Sequence, residues 1–330
     1  MPAEDLQALG GFNMKLISIV VPCYNEEESL PLFENAINDV IKQMQEEHAE
    51  LAFELLFIDD GSKDKTLPIL RKMALKDKRV RYISFSRNFG KEAGMYAGLK
   101  NAKGDFVVVM DADLQHPPAF LPRMYNYVKD GEFDCATTRR VSRQGESKIR
   151  SAFARLFYKI MNKISQTEIV DGAQDFRFMS RQMVDAILDM PEYNRFSKGI
   201  FSWVGFKTQY IEYENVEREA GTSSWSFWGL FKYSLEGIMA FSTAPLSVAI
   251  FLGGASCIAS LPMLINAIVK SSKTSGILCA VFFMGGIQLC CTGILGQYFA
   301  KAYLEGKHRP IYIMRENEEI YRSRHQAAGV

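Results

Sequence analysis

A chain of 330 residues exceeds one average domain, so about two units are expected. Its 39 Lys and Arg against 38 Asp and Glu leave a net charge of +1, which argues against a generic nucleic-acid binder. The six cysteines (Cys23, Cys135, Cys257, Cys279, Cys290, Cys291) show no C-x-x-C pair and no metal-ligand spacing. Four of them lie in apolar C-terminal segments and read as small buried hydrophobes in a reducing compartment.

Residues 1–13 form an acidic, flexible segment with no n-region or h-region, so no signal peptide is expected there. Leu16 to Pro22 is a short apolar strand closed by Pro. Cys23-Tyr24-Asn25-Glu26-Glu27-Glu28 follows, then a helical pattern to about His48. Phe53 to Ile58 reads as a second strand, ending in the carboxylate-rich turn Asp59-Asp60-Gly61-Ser62-Lys63-Asp64. A helix from about Thr66 leads to a strand over Val80 to Phe85. Ser86 to Glu92 then opens a Gly/Ala-rich helix. Strand and helix alternate at βα spacing, which predicts a parallel sheet covered on both faces. All the polar turns follow strands, so they collect on one edge of that sheet, where open α/β folds bind ligands.

Val107-Val108-Val109-Met110 reads as a buried strand that delivers Asp111 and Asp113 to the same edge, just before Pro117-Pro118. Two carboxylates one residue apart are hard oxygen ligands suited to Mg²⁺ or Mn²⁺ holding a diphosphate. The plainer reading is a strand-end turn capped by Asp. No G-x-G-x-x-G follows the first strand and no G-x-x-x-x-G-K-[ST] occurs, which disfavours a dinucleotide dehydrogenase and a P-loop NTPase.

Phe133 to Thr138 is a further strand running into Arg139-Arg140. Glu146 to Ile164 is an amphipathic helix whose basic and aromatic mixture fits an anionic membrane surface better than a plain core helix. Polar residues from Asp171 lead into another strand carrying Asp175, Phe176 and Arg177. Later come Arg195, Arg218 and the aromatic stretch Trp225-Ser226-Phe227-Trp228, of the kind found at membrane interfaces. After Glu236 no charge appears until Lys270, and Thr243–Val269 and Thr274–Ala300 are each long enough to span a bilayer. The expected organisation is therefore a catalytic domain over 14–220, a juxtamembrane interfacial segment over 221–242, a two-span hairpin over 243–300 and a tail over 301–330. An even number of spans and the basic flanks place the domain and tail on the cytoplasmic side of the plasma membrane. The pairs Gly253-Gly254 and Gly285-Gly286 permit close helix approach and self-association.

Taken together, the residues resemble the membrane-anchored family 2 glycosyltransferases that load a sugar onto polyprenyl phosphate. This group includes dolichyl-phosphate mannose synthases and bacterial bactoprenol glucosyltransferases of the GtrB type. The resemblance runs from Ile17 to about Ile313. It is carried by Val21-Pro22-Cys23-Tyr24-Asn25-Glu26, Ile58-Asp59-Asp60-Gly61-Ser62, Asp111-Ala112-Asp113-Leu114-Gln115-His116-Pro117 and Gln174-Asp175-Phe176-Arg177. Leu295-Gly296-Gln297-Tyr298 and Arg309-Pro310-Ile311-Tyr312 match the two-span bacterial branch.

The resemblance implies a GT-A-type, Rossmann-like fold, a UDP-sugar donor, a divalent metal, a polyprenyl (undecaprenyl) phosphate acceptor and inversion at the anomeric carbon. By position, Pro22, Tyr24, Glu26 and Asp60 would hold the nucleoside and Lys91 would lie near the nucleotide. Asp111, Asp113 and Gln115 would hold the metal–diphosphate unit, and Arg218 would close over the donor phosphates. Arg139, Lys148, Arg150, Ser151 and Arg195 would serve the lipid phosphate, and Asp113 and Asp175 the chemistry. Relatives carry Gly-x-Ser-Lys where this chain reads Gly221-Thr222-Ser223-Ser224, which shifts the phosphate clamp towards Arg218 or Arg195. Glucose is the expected sugar. N-acetylglucosamine, galactose or a modified sugar is the alternative within the same reaction, and an inactive membrane scaffold is the alternative outside it.

Overall fold

The computed structural model describes residues 14–140, 170, 172–213 and 273–327, with scattered positions between 238 and 262. One eight-stranded sheet organises them, in the order β7-β5-β6-β4-β1-β2-β3-β8. Its strands are β1 (Lys15–Cys23), β2 (Leu51–Asp59), β3 (Val80–Phe85), β4 (Phe106–Val109), β5 (Cys135–Arg140), β6 (Ala173–Ser180), β7 (Thr208–Tyr213) and β8 (Met314–Asn317). Strands β3, β2, β1 and β4 run parallel, as βα alternation predicts, and β5 runs parallel to β7.

Three pairings depart from the expected parallel sheet. β6 lies antiparallel to both β4 and β5, and β8 lies antiparallel to β3. The sheet is therefore mostly parallel and α/β, as the GT-A expectation requires, with reversed strands that local periodicity did not reveal.

Helices α1 (Ser29–Glu47), α2 (Thr66–Lys76) and α3 (Lys91–Asn101) make the parallel crossovers, and α4 (Leu121–Val128) follows β4. α1 buries Leu30, Phe33, Ile37, Ile41 and Met44 along one stripe, the spacing of a helix packed on a sheet. Within β1 the side chains alternate. Ile17, Ile19 and Val21 join the core under α1, α2 and α4, while Val20 joins the one under α3. Gly98 lets α3 approach closely, for a Cβ there would lie 2.0 Å from Val20 Cγ1. α5 (Arg181–Leu188) is capped by Ser180, whose hydroxyl accepts the Met183 N–H, and α6 (Ser197–Trp203) adds to the same layer.

The chain after residue 273 is a long helix, α7 (Lys273–Gly306, 34 residues), then β8 and α8 (Glu318–Ala327). The segment expected as a tail thus returns to supply a strand of the catalytic sheet. Glu316 accepts two guanidinium bonds from Arg71, both at 2.7 Å, and one from the Tyr82 hydroxyl at 2.8 Å. Counted over the described residues, no helix is long and apolar enough to cross a membrane. Several side chains of α7, nearly all of 243–269, the helix expected over 146–164 and the juxtamembrane 221–242 lie outside the described residues. Cys23 and Cys135 are buried, whereas Cys290 is exposed on α7 and Cys291 only half-buried, which corrects the reading of these two C-terminal cysteines as buried.

Candidate active site

The carboxyl ends of β1 and β2 are joined by a reciprocal set of loop hydrogen bonds. Asn25 N–H donates to Ser62 Oγ at 3.0 Å, and Lys63 N–H donates back to Asn25 Oδ1 at 2.9 Å. Glu26 N–H donates to Thr66 Oγ1 at 2.8 Å, and Glu27 N–H to Asp64 Oδ2 at 3.1 Å. These short polar side chains satisfy loop amides that no strand or helix reaches. Glu26 also accepts the Ser29 hydroxyl at 2.7 Å. Pro22 and Tyr24 flank this edge, and Tyr24 is 42% exposed, open to a planar ligand.

Asp60 is buried, and its two oxygens accept the N–H groups of Phe89 and Gly90 at 2.6 and 2.9 Å. Burial pushes this carboxyl up despite those bonds. Its direct contacts thus shape the loop that begins α3. Gly61 belongs to the same junction: its φ is +66°, and a Cβ would lie 2.5 Å from the Arg87 carbonyl carbon. The loop then starts α3 at Lys91, aimed back across the sheet edge.

The register of β4 against β6 pairs Val109 with Arg177. Continuing it by two residues sets Asp175 opposite Asp111. Between them lies the Lys91 ammonium, 2.9 Å from Asp111 Oδ1 and 2.9 Å from Asp175 Oδ2. Burial alone would raise the Asp175 carboxyl, but Lys91, Lys198 and Arg177 hold it well below the usual carboxylate range. Burial alone would lower Lys91, and the two carboxylates instead push it well above the ordinary lysine value. Asp175 therefore pairs with Lys91, while Arg177 lies with its guanidinium 4.4 Å from the centre of the Phe201 ring.

Beyond β4 the chain turns sharply. Leu114 sits at φ +56°, a conformation that costs a branched residue about 1–2 kcal/mol. Gln115 N–H donates to Asp113 Oδ1 at 3.1 Å, closing the turn. The plain turn reading of this stretch thus holds locally, and Asp111 and Asp113, with Ala112 between them, follow β4 at the carboxyl edge of the sheet. His116 is buried between Phe176 and Tyr213, its Nδ1 without a partner among the described residues. Burial lowers its pKa, which favours the neutral ring.

Arg139 lies near the end of β5, 41% exposed and 3.8 Å from Glu212. Arg195 is buried instead: Nη1 donates to the Met190 carbonyl at 2.6 Å and the guanidinium lies 4.6 Å from the Tyr96 ring centre. Those contacts make it part of the α3 packing rather than an open anion site. Lys148, Arg150, Ser151 and Arg218 lie outside the described residues. Sequence reasoning missed Glu92, which accepts the N–H and hydroxyl of Ser197, and Lys198, whose charge reaches Asp175. Their only signal was adjacency to Lys91 and to the Arg195 loop.

The donor set of Asp111, Asp113 and Gln115 is two carboxylates and an amide, all hard oxygen donors, and fits Mg²⁺ or Mn²⁺. Among the described residues no group of three or more His, Cys, Asp or Glu converges on a metal position.

The model of glycosyl transferase family 2 matches residues 18–188, just over half of the chain and every strand-end turn described above. The chain belongs to glycosyltransferase family 2. This family 2 glycosyltransferase is 39% identical over 310 residues to a bactoprenol glucosyl transferase of Shigella phage SfV, covering 92% of this chain and 99% of that one. It is 39% identical over 306 residues to a prophage bactoprenol glucosyl transferase homolog of Escherichia coli (strain K12), covering 91% and 98%. A looser likeness joins it to glucosyl-3-phosphoglycerate synthase from Mycobacterium tuberculosis solved with Mn²⁺, UDP-glucose and phosphoglyceric acid. There the TM-score is 0.43 and the identity 19%, over 68% of this chain and 78% of that one.

Proposed function

We propose that this glycosyltransferase moves glucose, with inversion, from UDP-glucose to undecaprenyl (polyprenyl) phosphate at the cytoplasmic face of the plasma membrane. The observation that carries the reading is the meeting of Asp111 and Asp175 around Lys91 at the carboxyl edge of the sheet. Two relatives named for bactoprenol glucosyl transfer support the acceptor, because the likeness extends over 98–99% of their length.

An oxygen of the acceptor phosphate attacks the anomeric carbon. The bond from that carbon to the β-phosphate oxygen breaks, and the nucleoside diphosphate leaves with the electron pair. A phosphate is already anionic near neutrality, so no strong general base is needed. Asp175, kept ionised beside Lys91, serves to orient the acceptor rather than to strip a proton from a hydroxyl. Lys91 supplies a positive charge where negative charge builds on the departing diphosphate, which favours the transition state over the ground state. Asp111, Asp113 and Gln115 would hold Mg²⁺ or Mn²⁺, which supplies Lewis-acid stabilisation of the leaving diphosphate. The nucleoside would lie along Pro22, Tyr24, Glu26 and Asp60, and the lipid phosphate near Arg139.

In this reading Thr243–Val269 and Thr274–Ala300 are the two membrane spans, the second lying within α7, some of whose side chains fall outside the described residues. At 34 residues α7 is about 50 Å long, and Val281, Leu289, Leu295 and Phe299 are 60–75% exposed on it. The bilayer covers those side chains. The test is transfer from a panel of UDP-sugars to undecaprenyl phosphate with Mg²⁺, with Mn²⁺ and with chelator. Glucose should move to lipid and stop moving on chelation; a different sugar would reassign the donor, and none at all would reject the reading.

A further inference from the structure

The last turn of α7 carries a carboxylate where a helix ordinarily favours a cation. Glu305 precedes the final residue, Gly306, at the negative end of the helix dipole. Its oxygens accept the N–H of Tyr193 at 2.9 and 3.0 Å, and Oε1 accepts the N–H of Asn194 at 3.1 Å. Bonds from backbone N–H to an ionised carboxylate belong to the stronger class, which offsets the unfavourable placement.

The clasped loop leads directly to the catalytic edge. Arg195 lies over Tyr96 of α3. Ser197 donates its N–H at 3.0 Å, and its hydroxyl, to Glu92 of the same helix. Lys91, next to Glu92, bridges Asp111 and Asp175. The end of α7 is also held a second time. His308, at φ +48°, turns the chain back, Tyr312 stacks on Phe85 at 4.8 Å, and β8 joins β3. A helix with an exposed apolar surface is thus mounted on the catalytic layer at two points, one of which runs to Lys91 through hydrogen-bonded neighbours.

We propose that Glu305 is a positioning residue, whose clasp on the Tyr193–Asn194 backbone sets the pose of the catalytic carboxylates relative to α7 and hence to a phosphate borne by a membrane lipid. The inference rests on the proposed lipid acceptor. Glu305 touches no substrate in this scheme. Its effect appears only when the acceptor is fixed in a bilayer, since an acceptor free in solution finds the site in any pose.

The test uses the full-length protein in phospholipid vesicles, as wild type, Glu305→Ala and Glu305→Gln. Two acceptors are compared, undecaprenyl phosphate in the bilayer and a short-chain, water-soluble prenyl phosphate, with UDP binding measured in parallel. Misplacement of reacting groups by about 1 Å costs on the order of 100-fold. Glu305→Ala should therefore lower kcat/KM for the bilayer acceptor by about 10- to 100-fold and leave the soluble acceptor and UDP within about 2-fold. Glu305→Gln keeps one accepting oxygen without the charge, should be intermediate, and serves if the alanine variant does not fold. Equal loss on both acceptors, or loss on neither, overturns the inference. Wild-type protein that uses neither acceptor would instead overturn the proposed function, and this inference with it.

Discussion

Lys91 stands between Asp111 and Asp175, its ammonium 2.9 Å from an oxygen of each, and so joins the parallel half of the sheet to the reversed strand β6. Removing it leaves two carboxylates facing each other and takes a cation away from the proposed diphosphate position. Hydrogen bonds to charged groups contribute about 1.5–3 kcal/mol, so Lys91→Met should lower kcat/KM for the UDP-sugar by about 10- to 100-fold. Lys91→Arg should recover part of the loss. Wild-type kinetics for Lys91→Met would remove the bridge from the mechanism.

Glu92 gives the fold a pH dependence of defined sign. Burial raises its carboxyl above the usual range, against the bonds from Ser197. A carboxyl raised in the folded state binds more protons there than in the unfolded chain, so its contribution to stability falls as pH rises through that window. Asp175 is depressed, so its contribution is lost only on acidification below about pH 4, where unfolded carboxylates titrate. Thermal melts of wild type and Glu92→Gln between about pH 4.5 and 7 isolate the Glu92 part. The wild type should lose stability relative to the variant as pH rises; a gain would contradict the assignment.

The contact of α3 with β1 tolerates no side chain at Gly98. A Cβ would fall 2.0 Å from Val20 Cγ1. Overpacking of this kind costs about 1–3 kcal/mol, so Gly98→Ala should lower the denaturation midpoint and Val20→Ala in the same chain should restore part of it. Additive losses in the double variant would show that the two residues do not meet.

Strand β8 pairs with β3 and is also tied down by its side chains. Glu316 is buried and accepts from Arg71 of α2 and Tyr82 of β3, and Glu318, the first residue of α8, accepts from Arg81 at 2.9 Å. Glu316→Ala leaves the Tyr82 hydroxyl and Arg71 without their acceptor and should cost about 1–3 kcal/mol. Truncation after Gly306 removes β8 and α8 together and should destabilise the catalytic domain further, read by chemical denaturation. A truncated protein as stable as the full chain would show that the last strand is dispensable.

The strand-end turns were legible because they depend on local chemistry. The β-branched run Val107 to Val109 fixes a strand, and Asp111 and Asp113 must follow it at the edge. Pairing partners are a different matter. Asp175 meets Asp111 through a register between strands some sixty residues apart in the chain, which no local period encodes. β8 reads Met-Arg-Glu-Asn, with no apolar alternation, and its Glu316 is held instead by the ion pair to Arg71. Resemblance alone assigns Arg195 to a phosphate, and only its contact with the Tyr96 ring shows it packed into the fold.

The most direct test of the account is transfer of labelled glucose from UDP-glucose to undecaprenyl phosphate by wild type and Asp113→Ala, with Mg²⁺ and with both proteins shown to be folded in membranes. The account predicts lipid-linked glucose from the wild type, abolished by chelator, and none from the variant. Near-normal turnover by Asp113→Ala in Mg²⁺, or a folded wild type that glucosylates no lipid, would contradict it.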